Sequence, residues 1–154
     1  MSDEVKKVKG YKGYDGIYCS DLESTGLLHH LIEQGDKAKL HNFCAIEVNQ
    51  DKMYLLHTDT QKQRESIQRF LDRDIVLIMH NGSCYDQDAL IHFGYDVSRV
   101  SFVDTLALSW YLDLNRAKHG LMSYGDEANV PKPEISDWEN LTQKDYDKFV
   151  ATSL

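Results

Sequence analysis

The stretch that decides the fold of this chain reads Leu77-Ile78-Met79-His80-Asn81-Gly82-Ser83-Cys84-Tyr85-Asp86, with Leu90 a short distance beyond. An apolar run of strand length ends in His-Asn-Gly, and a carboxylate follows where a helix is expected to begin. A continuous apolar run of this length suits a central strand that is covered on both faces. The stretch therefore predicts a strand, a glycine turn and a helix that starts with an acid.

A second acidic stretch lies upstream, after another apolar run, and reads Asp21-Leu22-Glu23-Ser24-Thr25-Gly26. Residues i and i+2 of a strand face the same side of a sheet, so we expect Asp21 and Glu23 to project together. Asp86, at a neighbouring strand-to-helix junction, can join them. Three acids beside a glycine turn predict a divalent metal site, and oxygen ligands of this kind suit Mg²⁺ or Mn²⁺.

The composition predicts one soluble globular domain. The chain has 154 residues, of which 42% are hydrophobic and 27% charged, enough for a single domain with a core. No apolar stretch could span a bilayer and the N-terminus lacks a signal core, so we expect no membrane association and a cytoplasmic location. The net charge of −8 argues against a protein that coats duplex DNA, but not against a local grip on a single strand. The cysteines match neither a disulfide framework nor a zinc motif, which predicts buried, reduced thiols.

Residues 1–16 are expected to form an N-terminal leader, and residues 17–154 a single domain. Lysines and tyrosines alternate with glycines in the leader, which is consistent with a nucleic-acid-contacting arm. A solvated tail is the alternative, and it is the one we favour because glycines interrupt any regular pattern.

The order of predicted elements indicates an α/β fold. We expect strands at 17–23, 40–48, 52–57, 75–79 and 100–103. We expect helices at 60–71, 84–93, 105–112 and 142–153, with capping residues Thr60, Ser83, Asp104 and Thr142 and a loop over 115–139. A meander followed by alternating strands and helices predicts a mixed five-stranded sheet flanked by helices. With an acidic pair on its first strand, this arrangement resembles the ribonuclease H-like architecture.

The two acidic stretches resemble the first two motifs of the DEDD (DnaQ-like) 3′-to-5′ exonucleases. The first is Asp21-Leu22-Glu23-Ser24-Thr25-Gly26-Leu27, and the second is His80-Asn81-Gly82-x-x-Tyr85-Asp86-x-x-x-Leu90. The second motif is most similar to that of the proofreading domain of phage family A DNA polymerases. Segments similar to two further stretches of that subgroup follow, at 103–109 and 118–125.

The resemblance implies a metal-dependent 3′-to-5′ exonuclease that hydrolyses single-stranded or frayed DNA. Asp21, Glu23 and Asp86 would be its catalytic and metal-binding residues, in a two-metal site that holds Mg²⁺ or Mn²⁺. The substrate-binding candidates are Thr25, Leu27, Asn81, Tyr85 and His119. His119 is equally well explained as an ordinary loop histidine. The implied partners are single-stranded DNA or DNA 3′ ends and a DNA polymerase or other replication protein, in the bacterial host cytoplasm if a phage encodes the chain.

The family's fourth acid is not found in this sequence. It lies in a final helix, four residues after a tyrosine or five after a histidine. If Phe149 stands for the tyrosine, Ser153 takes the place of the acid; if Tyr146 is the tyrosine, Val150 does. The fourth ligand is therefore missing, displaced or supplied otherwise, or the final helix is cut short because the C-terminus is truncated. The alternative function is that of a catalytically impaired protein that binds DNA ends or a polymerase or nuclease partner.

Overall fold

A computed structural model describes residues 13–50, 52–130 and 140–152. The strands are β1 (Gly16–Ser24), β2 (Leu40–Glu47), β3 (Met53–His57), β4 (Ile75–Met79) and β5 (Val100–Asp104). The helices are α1 (Leu28–Gln34), α2 (Gln61–Leu71), α3 (Asp86–His92), α4 (Thr105–Leu112), α5 (Leu121–Ala128) and α6 (Gln143–Thr152). Most of the predicted leader, residues 1–12, lies outside the described residues. No described helix is long and apolar enough to cross a membrane.

The five strands form one mixed sheet in the order β3-β2-β1-β4-β5. The β1–β2 and β2–β3 pairs are antiparallel, as expected for a meander joined by short connections, whereas β1–β4 and β4–β5 are parallel. This topology places the carboxyl ends of β1, β4 and β5 at the same edge of the sheet. The predicted α/β fold, a ribonuclease H-like mixed five-stranded sheet flanked by helices, is confirmed.

The main core lies between one face of the sheet and helices α2 and α3. Phe43 from the sheet, Ile67 and Leu71 from α2 and Leu90 from α3 are all fully buried within it. Strand β4 coincides with the predicted apolar run 75–79, and four of its five residues are buried. Burial of this kind stabilises the fold by about 1.5–3 kcal/mol for each large apolar side chain.

Three of the four predicted helix caps are present. Thr60 and Gln63 form a reciprocal capping box at α2, and the side chain of Asp104 accepts a hydrogen bond from the Leu106 amide at α4. At α6, the Asp145 amide donates to the Thr142 hydroxyl (3.3 Å) and the Thr142 amide donates to the Asp145 carboxylate (2.9 Å). Each pair is close in sequence, and this is why the spacing alone could indicate it.

The predicted cap at Ser83 is wrong. Helix α3 begins at Asp86, and its N-cap residue Tyr85 makes no side-chain capping bond. Ser83 instead donates its amide (3.1 Å) and its hydroxyl to the carboxylate of Asp104, at the end of β5. The amide of Asn81 donates to the same carboxylate at 2.9 Å. A carboxylate more than twenty residues away therefore holds the turn that local spacing had attributed to a helix cap.

Three further expectations need correction. Two helices were missed, α1 between the first strands and α5 within the predicted loop 115–139. Helix α1 is short and buries only Leu31, and α5 contains Gly125 and buries no residue, so the sequence signal for either helix is weak. The third correction concerns the thiols, because Cys84 is exposed and only Cys44 is fully buried, although all three are unpaired.

We predict that Asp104→Asn destabilises the protein by about 1–3 kcal/mol, because an amide cannot accept all the hydrogen bonds that converge on the carboxylate. Urea unfolding of the variant and the wild type measures the difference. Asp126→Asn, the same change at an exposed position of α5, is the matched control and is expected to cost less than about 0.5 kcal/mol. Equal midpoints for both variants would contradict the role given to Asp104.

Candidate active site

Asp21 and Glu23 lie near the carboxyl end of β1, and both are half-buried. Leu22 between them is buried in the main core, so the two acids project from the opposite face of the sheet. In the antiparallel register Asp21 is opposite Cys44 and Glu23 is opposite Asn42, and this arrangement places a polar row across β1 and β2.

Asp86, the first residue of α3, is 4% exposed, and among the described residues its Oδ1 atom has no hydrogen-bond partner. Burial, together with the negative charges of Asp21 and Glu23, raises the pKa of this carboxyl to about 8. The three acids predicted from the sequence are therefore close enough to affect one another. A buried carboxylate with an unpaired oxygen and two acidic neighbours is an unfavourable arrangement unless a proton or a cation compensates it.

The turn before Asp86 is fastened to the turn after β1. The Tyr85 hydroxyl donates to the carbonyl of Gly26 (2.8 Å) and also bonds the Ser24 hydroxyl. Position 82 in this turn requires glycine, because a Cβ atom there would lie 2.4 Å from Cβ of Met79. Tyr85, a substrate-binding candidate, thus also links the segments that carry the acids.

The described side chains do not form a finished metal cage. Among them, no group of three or more His, Cys, Asp or Glu residues is arranged to hold an ion. Like charges repel when no cation lies between them, and Asp21 Oδ1 accepts a hydrogen bond from the amide of Leu22 at 3.0 Å. The donor chemistry nevertheless fits a hard divalent cation, because Asp86 Oδ1 is a buried oxygen without a donor and its charged neighbours are carboxylates.

Two substrate-binding candidates, Thr25 and Leu27, lie in the turn between β1 and α1. The Thr25 hydroxyl donates to the Gln34 side chain and accepts from the Lys39 amide (3.1 Å), so it holds the turn closed. Leu27 is 59% exposed, and it lies just before α1 in the turn that follows β1. This exposure leaves Leu27 able to contact a ligand.

The other two candidates differ in exposure. Asn81 is exposed and adopts a left-handed backbone conformation (φ 63°) in the turn after β4. His119 is 4% exposed; its Nδ1 atom lies 2.6 Å from the Ser109 hydroxyl and its ring stacks on Trp110 at 3.7 Å. The described contacts of His119 are thus to helix α4 and its surroundings rather than to the acids.

Helix α6 brings Tyr146 to the acidic face. The Tyr146 ring stacks on His41 (centroids 4.0 Å apart, 11° between planes), and burial together with the charge of Glu23 raises the pKa of its hydroxyl. Val150, four residues later, is fully buried. Phe149 is half-buried, and Ser153 lies outside the described residues.

Asp147 anchors α6 to the sheet, and sequence reasoning missed its partners. Its Oδ1 atom accepts from the side chains of Asn42 (2.9 Å) and Gln143 (3.0 Å) and lies 3.0 Å from Nε2 of His57. Burial acts to raise the pKa of Asp147, but these hydrogen bonds outweigh it and hold the pKa below its ordinary value. The contacts to Asn42 and His57 span 105 and 90 residues, so no local pattern could indicate them.

No protein-family model matches the chain, and no curated protein matches it either. Several solved structures are similar to the chain. Brucella melitensis NrnC bound to pGG is 19% identical with a TM-score of 0.65, over 96% of this chain and 71% of NrnC. A structure described as the apo form of the nuclease is 19% identical with a TM-score of 0.60, over 89% of this chain and 67% of its own.

The chain has the fold of these nucleases. NrnC has also been solved with bound Mg²⁺, and that structure is 19% identical to this chain with a TM-score of 0.55, over 93% of this chain and 71% of NrnC. At such identities the likeness establishes the fold, while the site rests on the residues described above.

We predict that Mg²⁺ stabilises the protein through Asp86. An acid whose pKa is raised by folding stabilises the fold fully only below its unfolded pKa, and this contribution is lost as the pH rises from about 4 towards 8. Without metal, the Tm is therefore expected to fall over this range, and Mg²⁺ at about pH 8 should raise it by roughly 5 °C or more.

Thermal melts with and without Mg²⁺ measure this effect. Asp86→Asn should remove most of the pH dependence and of the response to Mg²⁺, whereas Asp88→Asn, at an exposed position of the same helix turn, should keep both. A wild-type Tm that is insensitive to Mg²⁺ at alkaline pH would contradict the metal site.

A further prediction concerns Asp147. Asp147→Ala leaves the Asn42 amide without its acceptor and releases α6 from β2 and β3, so we expect a loss of about 1–3 kcal/mol. Urea unfolding measures the loss, and Lys144→Ala, at an exposed position of the same helix, is the control. If the two variants unfold at the same midpoint, the Asp147 contacts do not hold the helix.

Proposed function

We propose that this protein is a divalent-metal-dependent 3′-to-5′ exonuclease that hydrolyses single-stranded or frayed DNA. The observation that carries the proposal is the buried Asp86 carboxylate, whose unpaired oxygen lies beside the charges of Asp21 and Glu23 within a nuclease fold. The polarity and the preference for DNA follow from the resemblance of the two acidic motifs. NrnC, which shares the fold, binds the nucleic acid pGG and Mg²⁺, and this supports a nucleic-acid substrate and a divalent cofactor.

In this proposal Asp21, Glu23 and Asp86 supply the oxygen ligands for Mg²⁺ or Mn²⁺. Bound divalent ions would activate water and stabilise the charge on the leaving 3′ oxygen. Leu27, which is exposed in the turn that follows β1, packs against the terminal base. Tyr146, whose hydroxyl lies within the electrostatic reach of Glu23, orients the attacking water.

The proposed substrate-binding set has four further members, which differ in their exposure to solvent: Thr25, Asn81, Tyr85 and His119. Asn81 is exposed and can meet the strand directly. Tyr85 and Thr25 hold the turns that frame the acids, and they would act on the strand through that geometry. His119 would act only on a strand that reaches helix α4, because its described contacts are there.

We also propose that Val150 occupies the position of the family's fourth acid. Burial and the charge of Glu23 raise the pKa of the Tyr146 hydroxyl, and the residue four positions later is a fully buried valine. The register on Phe149 and Ser153 is the less favoured of the two, because the hydroxyl of Tyr146 lies within the electrostatic reach of Glu23. One metal ligand is then replaced by an apolar side chain, and the loss of one ligand of a two-metal site is expected to slow turnover strongly.

The buried Val150 favours one second candidate, a protein that keeps the fold and binds DNA ends, or a polymerase or nuclease partner, with little or no hydrolysis. A replication role, a phage origin and a cytoplasmic location belong to either proposal through the resemblance alone.

Degradation of a 5′-labelled single-stranded DNA oligonucleotide, with Mg²⁺ and separately with Mn²⁺, tests the enzyme. We expect a ladder that shortens from the 3′ end, and a rate at least about a thousandfold lower for Asp21→Ala/Glu23→Ala. An RNA oligonucleotide of the same sequence tests the preference for DNA. A ladder that persists in the double variant would rule out these acids as the catalytic centre.

If wild-type protein binds the oligonucleotide without shortening it, the binding function is supported instead. Val150→Asp then tests the cause, with Val150→Ala as the control for lost packing and circular dichroism as the check of folding. A ladder that appears in folded Val150→Asp alone would assign the defect to the missing acid.

A further inference from the structure

A cavity of about 370 Å³ opens at the sheet edge where β1 ends and β2 begins. Its wall runs through Lys39 and Leu40, and both residues adjoin the turn that follows the acids. The Thr25 amide donates to the Lys39 carbonyl (3.0 Å), and Ser24 is paired with Leu40 in the sheet. The cavity therefore lies at the edge of the sheet where the strand that carries Asp21 and Glu23 ends, on the face that carries the main core.

The rim of this cavity carries more positive than negative charge. Lys37, Lys39 and Arg64 lie on it with Asp36 and Asp59. Lys39 is neutralised by an ion pair with Asp59 at 2.9 Å. Lys37 and Arg64 are exposed, and within residues 13–50, 52–130 and 140–152 neither forms an ion pair.

A helix end adds to the positive potential of the rim. The wall includes Thr58 and Asp59, which lead directly into α2 at Gln61, and Arg64 lies in the first turns of that helix. The N-terminal end of a helix of this length favours negative charge nearby. In a chain of net charge −8, such a rim is a place that an anion can approach.

Apolar side chains line part of the cavity. Leu40 and Tyr95 are 3% and 8% exposed, and the ring of Phe93 is half-buried between the rim and the core. A volume of this size lies in the range of small-ligand pockets, about 300–1,000 Å³. A cationic rim beside an aromatic ring fits a nucleotide, in which a charged phosphate is joined through a sugar to a flat base.

We propose that this cavity binds a phosphate group of the same nucleic-acid strand whose end reaches Asp21, Glu23 and Asp86, with Lys37 and Arg64 as the phosphate contacts. The inference rests on the proposed function for its substrate class. The acidic site itself repels the strand, so a cationic contact at the same edge of the sheet gives the backbone a fixed position from which its end reaches the acids across that edge.

Binding of a 5′-labelled single-stranded oligothymidylate, in Ca²⁺ to suppress hydrolysis, tests the subsite by fluorescence anisotropy. Lys37→Gln/Arg64→Gln should weaken binding about five- to tenfold and reduce the slope of log K against log salt by about 1 to 1.5. Lys62→Gln/Arg69→Gln removes the same charge from exposed positions of α2 that do not line the cavity. This control should retain most of the affinity and of the slope.

Equal loss in the two double variants would overturn the subsite, as would absence of binding by the wild type. Thymidine monophosphate, titrated in a nitrogen-15 NMR spectrum, separates a strand contact from a site for free nucleotide. One further outcome is that thymidine monophosphate shifts the signals of residues 37–40 and 58–64 alone while Lys37→Gln/Arg64→Gln binds the strand as tightly as the wild type. That combination would assign the cavity to free nucleotide and would also overturn the proposal. A cavity-dependent affinity with no ladder in the degradation assay supports the subsite while the enzyme proposal fails, so the two results are distinguishable.

Discussion

The carboxylate of Asp104 is the constraint on which the arrangement of the acids depends. It accepts hydrogen bonds from the amides of Asn81, Ser83 and Leu106, and so it joins the turn after β4, the end of β5 and the start of α4. Burial opposes its ionisation, but these bonds prevail and hold its pKa below the ordinary value. The charge that forms the turn also raises the pKa of Asp86. The turn that presents Asp86 therefore also increases the cost of leaving its carboxylate without a proton or a cation.

The parts of the fold that could be predicted are those encoded by neighbours in sequence. The run 75–79 is apolar throughout, and the capping pairs at Thr60 and Thr142 are three residues apart. Helix α5 has no buried residue and contains Gly125, so it lacks the buried apolar positions that marked α2 in the sequence. Ser83 was misassigned for the same reason, because a hydroxyl satisfies a distant carboxylate as readily as a local amide.

The candidate site divides in the same way. That Asp21 and Glu23 share a face follows from the strand period, and the position of Asp86 follows from the turn before it. The burial of Asp86 could not be read from sequence, because it depends on how α3 packs against the sheet. The choice between Tyr146 and Phe149 depends on the rotation of α6, which Asp147 determines through Asn42 and His57.

The packing of helix α6 does not depend on a cation, whereas the charge of the three acids does. Val150 is buried without any charge and contributes about 1.5–2 kcal/mol to packing, and the stack of Tyr146 on His41 likewise requires no ion. An aspartate at position 150 would instead be a further buried carboxylate, with its own need for a proton or a cation. With valine there, α6 docks on the sheet through apolar packing, and this packing does not depend on metal. If position 150 is that of the fourth acid, as proposed, the stability of the final helix is separate from the occupancy of the site.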